Sequence, residues 1–385
     1  MMHSRRRSAR QLAGIVSVSL MLACAMTGIS SAGTAAARPA SCENWTGTQP
    51  VNPGTLGNTL ASVAVLSGCD AWAVGFSTGG GLLNTLIEHW NGHAWMVVPS
   101  PNPGRTNSRL RSVRGSSPND IWAVGDYSDG GLGHSLIEHW NGHLWRQVKS
   151  PNPGKAGSML TGVRAVSGRD AWAVGSIDTG TANRSLILHW NGHAWKQVAS
   201  PNPGPNNLLN AVTATSSTDA WAVGLSYGNT STKTLVVHWN GHAWRHVTSP
   251  GVGKSSELFG IGAASAADAW AVGVSSADST SQTLALHWNG RRWALVSTPD
   301  PGGRNVENAV VGVATTDGNV WAVGHTGKRS LILRWSGSAW ARVPSPNLGS
   351  SSDLFGVAAQ SVGNAWAVGI FSDGGSDQTF AVHCC

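Results

Sequence analysis

One four-residue string constrains this chain more than anything else in it. Trp-Ala-Val-Gly occurs seven times, with its tryptophan at Trp72, Trp122, Trp172, Trp221, Trp270, Trp321 and Trp366. The steps between them are 50, 50, 49, 49, 51 and 45 residues. A fixed period of this size marks a repeat architecture, in which one supersecondary unit cannot bury its apolar face alone and packs on its copies. A second string follows in the first six repeats, in its fullest form His-Trp-Asn-Gly-His-Ala-Trp from His89 to Trp95.

The unit from Leu110 to Gly154 shows what repeats. Leu110–Arg114 reads as a first strand, and Ser116–Asp120 as a turn. Ile121–Gly125 reads as a second strand, rich in β-favouring side chains, and Leu136–Trp140 as a third. Asn141-Gly142 is a strong hairpin signal, since a two-residue type I′ turn needs positive φ at both positions. Leu144–Val148 reads as a fourth strand, and Ser150-Pro151-Asn152-Pro153-Gly154 as a stiff connector without helix potential. Four antiparallel strands in about 50 residues, repeated radially, make a β-propeller blade. The fold class expected is all-β: a seven-bladed β-propeller with four antiparallel strands per blade.

The chain ends extend this expectation. Trp45 precedes Trp72 by 27 residues, as Trp95 precedes Trp122. The mature chain therefore begins on a fourth strand that lacks its first three. Phe380–His383 reads as a third strand with no fourth. The N-terminal strand is expected to complete the last blade and close the ring. The cysteines fall at the same junction: Cys384 stands where the repeat has its first His-Trp tryptophan, Cys385 at the Asn191 position and Cys42 at the Gly192 position. A disulfide from Cys42 to Cys385 or Cys384 would replace the missing hairpin, adding roughly 2–4 kcal/mol. Cys69, in a turn of the first blade on the same face, is left to pair with the other C-terminal cysteine. Cysteine counting does not choose between these pairings.

Residues 1–37 read as a signal peptide and 38–385 as the propeller. Arg5, Arg6, Arg7 and Arg10 precede an apolar stretch from about Leu12 to Met26 and then small residues. This is too short for a membrane span, so no transmembrane segment is expected in the mature chain. Plain secretion is the reading; a lipid anchor through Cys24 is disfavoured because Met21 stands where a lipoprotein signal usually has Leu. The whole chain carries 26 Lys+Arg against 19 Asp+Glu, a net charge of +7. Removing the four signal arginines leaves 22 against 19, or +3. That is too little, and too dispersed, for a nucleic-acid partner.

The repeat resembles kelch and WD-repeat blades in length and strand order, without the kelch double glycine or the WD dipeptide. Gly92-His93-Ala94-Trp95 is similar to the tail of the Asp-box of sialidase-type propellers, whose Ser-x-Asp head is missing here. The resemblance covers essentially all of residues 42–385. It implies a secreted bacterial propeller and leaves function to the site.

Tryptophans in every blade read as wedge filling between sheets rather than as sugar platforms, with the fourth-strand Trp95 type as the exception that could face a ligand. His89, His139, His189, His238, His287 and His383 recur once per blade, so no metal site is expected: metal ligands must converge within about 2 Å of one ion. Five of them, His89, His139, His189, His238 and His287, instead have a structural partner in the Asp two residues before the WAVG tryptophan, with Asp170 and His189 as the type pair. In the sixth repeat both change together, to Asn319 and Arg334.

Function is sought in what does not repeat. Arg105, Arg109, Arg111 and Arg114 cluster where the chain enters the second blade, and Arg164 holds the Arg114 position in the third. Adjacent blades bring the last two together at the channel, a candidate anion or uronate site, although solvated surface charge is the simpler account. Glu257 and Asp353, with Glu307, lie in connectors at the channel mouth, where two converging acids would suit a hydrolase or lyase. The reading is a secreted, monomeric, non-catalytic binding module for a glycan or an extracellular protein, with no cofactor. The alternative is an extracellular carbohydrate-active enzyme with acids at the channel mouth.

Overall fold

The computed structural model describes residues 44–277, 280–316, 318–361 and 363–384. The signal-peptide expectation, the Cys24 anchor, Cys42 and Cys385 lie outside these residues. Among the described residues there are 28 β-strands and no α-helix, and no helix long and apolar enough to cross a membrane.

The second repeat again serves as the type. Its strands are Asn107–Ser117, Asp120–Ser128, Gly133–Trp140 and Trp145–Gln147, paired antiparallel in chain order. The first two strands are longer than the sequence suggests, because their ladder runs on from Ser117↔Asp120 at one end to Asn107↔Ser128 at the other. Loop-like residues such as Asn107 and Ser108 are thereby held by backbone pairing that composition does not reveal. A bulge between Leu110 and Ser112 lets the first strand cross closely over the second. That crossing explains the glycine of each WAVG: a Cβ on Gly125 would lie 2.0 Å from the Arg109 carbonyl oxygen.

The Asn-Gly turn differs from expectation. Trp140 pairs with Trp145, so four residues connect the strands rather than two. No residue other than glycine has positive φ among those described, and Gly142 has φ +91°. The Asn141 side chain instead accepts hydrogen bonds from His143 N and Leu144 N, both 3.1 Å. The asparagine thus acts as an Asx-type acceptor while only the glycine is left-handed. Ser336 takes over this role in the sixth repeat, accepting from Ala339 N at 3.1 Å.

Neighbouring four-stranded groups pack face to face through the repeated tryptophans. Trp72, buried, lies 4.8 Å from Trp140 and meets Trp145 edge to face at 5.5 Å, both from the next group. Its other face stacks on its own group's His89 at 4.3 Å. The seven buried clusters each join one group to the next, as Trp122 joins Leu160, Leu186 and Trp195. The last is joined to the first in the same way: Trp366, Val368 and Ala381 pack with Leu60, Leu86 and Trp95. At the chain ends, Thr46–Thr48 pairs antiparallel with Gln378–Cys384, giving the final sheet its fourth strand. Trp45 fills the corresponding wedge, edge to face with Trp321 at 5.3 Å.

The fourth-strand tryptophans are not exposed exceptions. Trp95, Trp145, Trp195, Trp244, Trp293 and Trp340 are all buried, because each tucks its edge under the WAVG tryptophan of the preceding group.

The connectors are tied down as regularly as the strands. Asn102 Oδ1 accepts from Thr85 N at 2.7 Å, and Asn152, Asn202 and Asn347 do the same one group at a time. Asn52, from the N-terminal segment, does it for Thr379 N at 2.7 Å.

Candidate functional site

The repeated polar residues form one edge. His189 Nε2 lies 2.8 Å from Asp170 Oδ1, and the equivalent pairs in the first, second, fourth and fifth groups span 2.7 to 2.9 Å. A carboxylate only accepts, so Nε2 carries the proton and donates. In the sixth group Arg334 donates to Asn319 Oδ1 at 2.8 Å, and in the seventh His383 faces Asn364 Oδ1 at 3.1 Å. Burial pulls the Asp120 carboxyl up, but hydrogen bonds from His139 and Ser116 outweigh it and hold it below the usual range. His383, facing an amide instead of a carboxylate, is pushed down by burial. These pairs are structural: each is satisfied within its own sheet, and no two converge on a common point.

The opposite face carries the loops that follow WAVG and the connectors, and here the chemistry does not repeat. In the second group one carboxylate serves two arginines. Arg109 Nε donates to Asp126 Oδ2 at 2.9 Å and Arg111 Nε to Oδ1 at 2.7 Å. Neither arginine is therefore a free cation, and the pair with its acid carries one net positive charge.

The acids named for the enzyme reading have different partners. Glu257 Oε1 accepts from Asn210 Nδ2 at 3.2 Å, and burial raises its carboxyl despite that bond. Asp353 instead belongs to a group with His325 (Nδ1 at 3.8 Å), Glu307 and Asp377. Burial, then Asp377 and Glu307, push the Asp353 carboxyl up, while His325 pulls it down. Glu257 and Asp353 thus have separate partners and lie on strands of groups two apart. His325 carries no motif in the sequence; its signal is the shortened sixth loop, where Thr326 pairs directly with Arg329 and Glu307 lies 3.9 Å from the ring.

Arg114 and Arg164 correct the surface-charge account. Both line a cavity of about 160 Å³ along the axis of the strand ring, and Arg114 also lines a second of about 100 Å³ above it. Burial pushes the Arg114 guanidinium down to about 10, with the Arg164 charge adding to the effect, and burial lowers Arg164 as well.

Two buried acids are not flagged by any sequence motif. Glu88 and Glu138 sit fully buried on the third strands of the first two groups. The other groups have Leu188, Val237, Leu286, Leu333 and Val382 there, so a Glu in an aliphatic register was the available signal. Burial raises Glu88 to about 7 and Glu138 to about 8.

No family model matches this chain, and no curated protein matches it in sequence. Solved structures do match in shape. A structure titled "YCF48 bound to D1 peptide" superposes with a TM-score of 0.55 at 16% identity, covering 88% of this chain and 96% of that one. YCF48 from Cyanidioschyzon merolae gives 0.54 at 16% identity, covering 89% and 98%. The WD40 β-propeller domain of Doa1 gives 0.56 at 10% identity, covering 88% and 96%. The chain is a β-propeller. At these identities the likeness is one of fold, and each four-stranded group described above is a blade.

Proposed function

We propose that this protein is an exported, non-catalytic binding module whose loop face recognises a polypeptide segment. The observation that carries this is an apolar and charged surface built from residues that most blades do not share. Leu56, Leu82 and Leu132 are 60%, 43% and 49% exposed in the connector and loops of blades one and two. Arg109, Arg111 and Asp126 lie in the second of these blades. Exposed aliphatic side chains beside a charged group suit an extended peptide, whose apolar side chains and backbone amides need both. The buried tryptophans weigh against the glycan reading, since stacking on a sugar needs an open ring face. The match to YCF48, solved with a peptide, supports the reading by analogy of fold alone. Export is supported by the Arg5–Met26 pattern and by Cys69 and Cys384, both disulfide-bonded, a state that persists in oxidising compartments.

A peptide-display selection on residues 38–385, with disulfides intact, tests this. Selected peptides are expected to bind the double variant Leu82→Asp/Leu132→Asp at least tenfold more weakly. Equal binding to the variant would remove the loop face as the site, and a positive glycan array would restore the sugar reading. The enzyme reading keeps one supporting observation, the raised Asp353 carboxyl beside His325 and Glu307. Turnover of any extracellular polysaccharide that disappears in Asp353→Asn would favour it over binding alone.

A further inference from the structure

We infer that the central channel is a binding site for one small oxyanion, held between Arg114 and Arg164. The position opposite each WAVG tryptophan on the first strand lines the axial cavity in all seven blades. Five blades place Ala64, Thr213, Gly262, Ala314 and Ala358 there, all small and uncharged. Blades two and three place Arg114 and Arg164 in the same layer. The small residues opposite leave the cavity of about 160 Å³ into which both arginines reach.

The two guanidinium groups are not neutralised. No Asp or Glu lines this cavity or the one above it. Arg114 is anchored by one nitrogen: Nη1 donates to Val63 O at 2.6 Å and Val113 O at 2.8 Å. Those bonds orient the guanidinium and leave Nη2 and Nε for a ligand. The Arg164 side chain makes no hydrogen bond to any described residue, and its Nε is buried without a partner. Both residues are half-buried, and two unpaired charges of the same sign in one partly desolvated layer repel each other. The arrangement becomes favourable when an anion sits between them, because arginine's planar fork matches carboxylate and phosphate oxygens with two parallel bonds. Thr213 and the backbone around Gly115 and Gly262 add polar lining. The ligand class is therefore a small oxyanion, either a tetrahedral inorganic one or the carboxylate of a larger molecule such as a uronate.

This site is separate from the loop-face leucines, so either proposal can fail alone. Isothermal titration calorimetry on the disulfide-intact chain, in low-chloride buffer, tests it with phosphate in one arm and glucuronate in the other. Saturable one-to-one binding is expected in at least one arm, and which arm responds identifies the source. Arg164→Gln is expected to weaken that binding at least tenfold. The protein should still fold, since Arg164 holds nothing in place and other blades have neutral residues there. Arg164→Lys, which keeps the charge but loses the fork, should fall between. Equal heats in wild type and Arg164→Gln, or no saturable binding in either arm, would overturn the inference.

Discussion

Glu88 and Glu138 occupy the same position in adjacent blades, yet the structure treats them differently. Both are fully buried. Glu88 Oε2 accepts a hydrogen bond from Val51 N at 2.9 Å, leaving only Oε1 without a partner. Both oxygens of Glu138 are unpartnered. The difference lies outside either blade. Aligned on Asn-Pro-Gly, the connector residue is Val51 before the first blade and Pro101 before the second. Proline has no N–H to give. Burial raises both carboxyls, Glu88 to about 7 and Glu138 to about 8, and the Val51 N–H opposes it at Glu88 alone.

By this contrast Glu138 is the less well satisfied of the two acids. Its folded value of about 8 lies above its ordinary 4.5, so the folded state holds the proton longer than the unfolded one. The stability that goes with this protonated carboxyl is complete below about 4.5, falls as pH rises from there to about 8, and then levels off. Glu138→Leu, copying Leu188 of the next blade, should flatten that fall. It is expected to raise unfolding free energy at pH 9 by several kcal/mol, since each tenfold difference in proton affinity between the folded and unfolded states is worth about 1.4 kcal/mol. At pH 5 the gain should be much smaller. Denaturant melts at the two pH values check this, and an equal gain at both would mean that ionisation is not the cost.

Val51→Pro breaks the comparison from the other side. It makes the first connector like the second and removes the donor to Glu88, at a cost of roughly 1–3 kcal/mol. Glu88 should then titrate nearer to Glu138, followed by carboxyl carbon NMR. An unmoved Glu88 would show that burial alone sets its value. The smallest effect is the reverse exchange. Pro101→Val offers Glu138 an N–H and is expected to move its titration midpoint about one pH unit lower, with a loosened unfolded state offsetting some 0.4–1 kcal/mol of the gain.

Much of the architecture was legible in the sequence because the repeat carries it. The period, the four strands and the incomplete blades at the two ends follow from Trp spacing, and Thr46–Thr48 does pair with Gln378–Cys384. The Asp–His edge was legible for the same reason, since Asn319 and Arg334 change together and remain bonded. Features that depend on a neighbouring blade were not. Trp95 looked like an outer-strand residue free to face a ligand, but its exposure is set by Trp366 of the adjacent blade, 5.0 Å away. Arg109 and Arg111 looked like part of one cluster with Arg114, but Asp126, on the second strand of the same blade, takes the first two and leaves the third to the channel.

By itself the sequence determined the blade and its repetition, because hydrophobic alternation, turn residues and a fixed period are local properties that each segment carries alone. Tertiary structure decided which exceptions to the repeat acquire chemistry. Glu138 has no donor where Glu88 has the Val51 N–H, and Arg164 is unpaired where small residues stand across the axis; burial and partnership are set by residues brought close only when the ring is assembled.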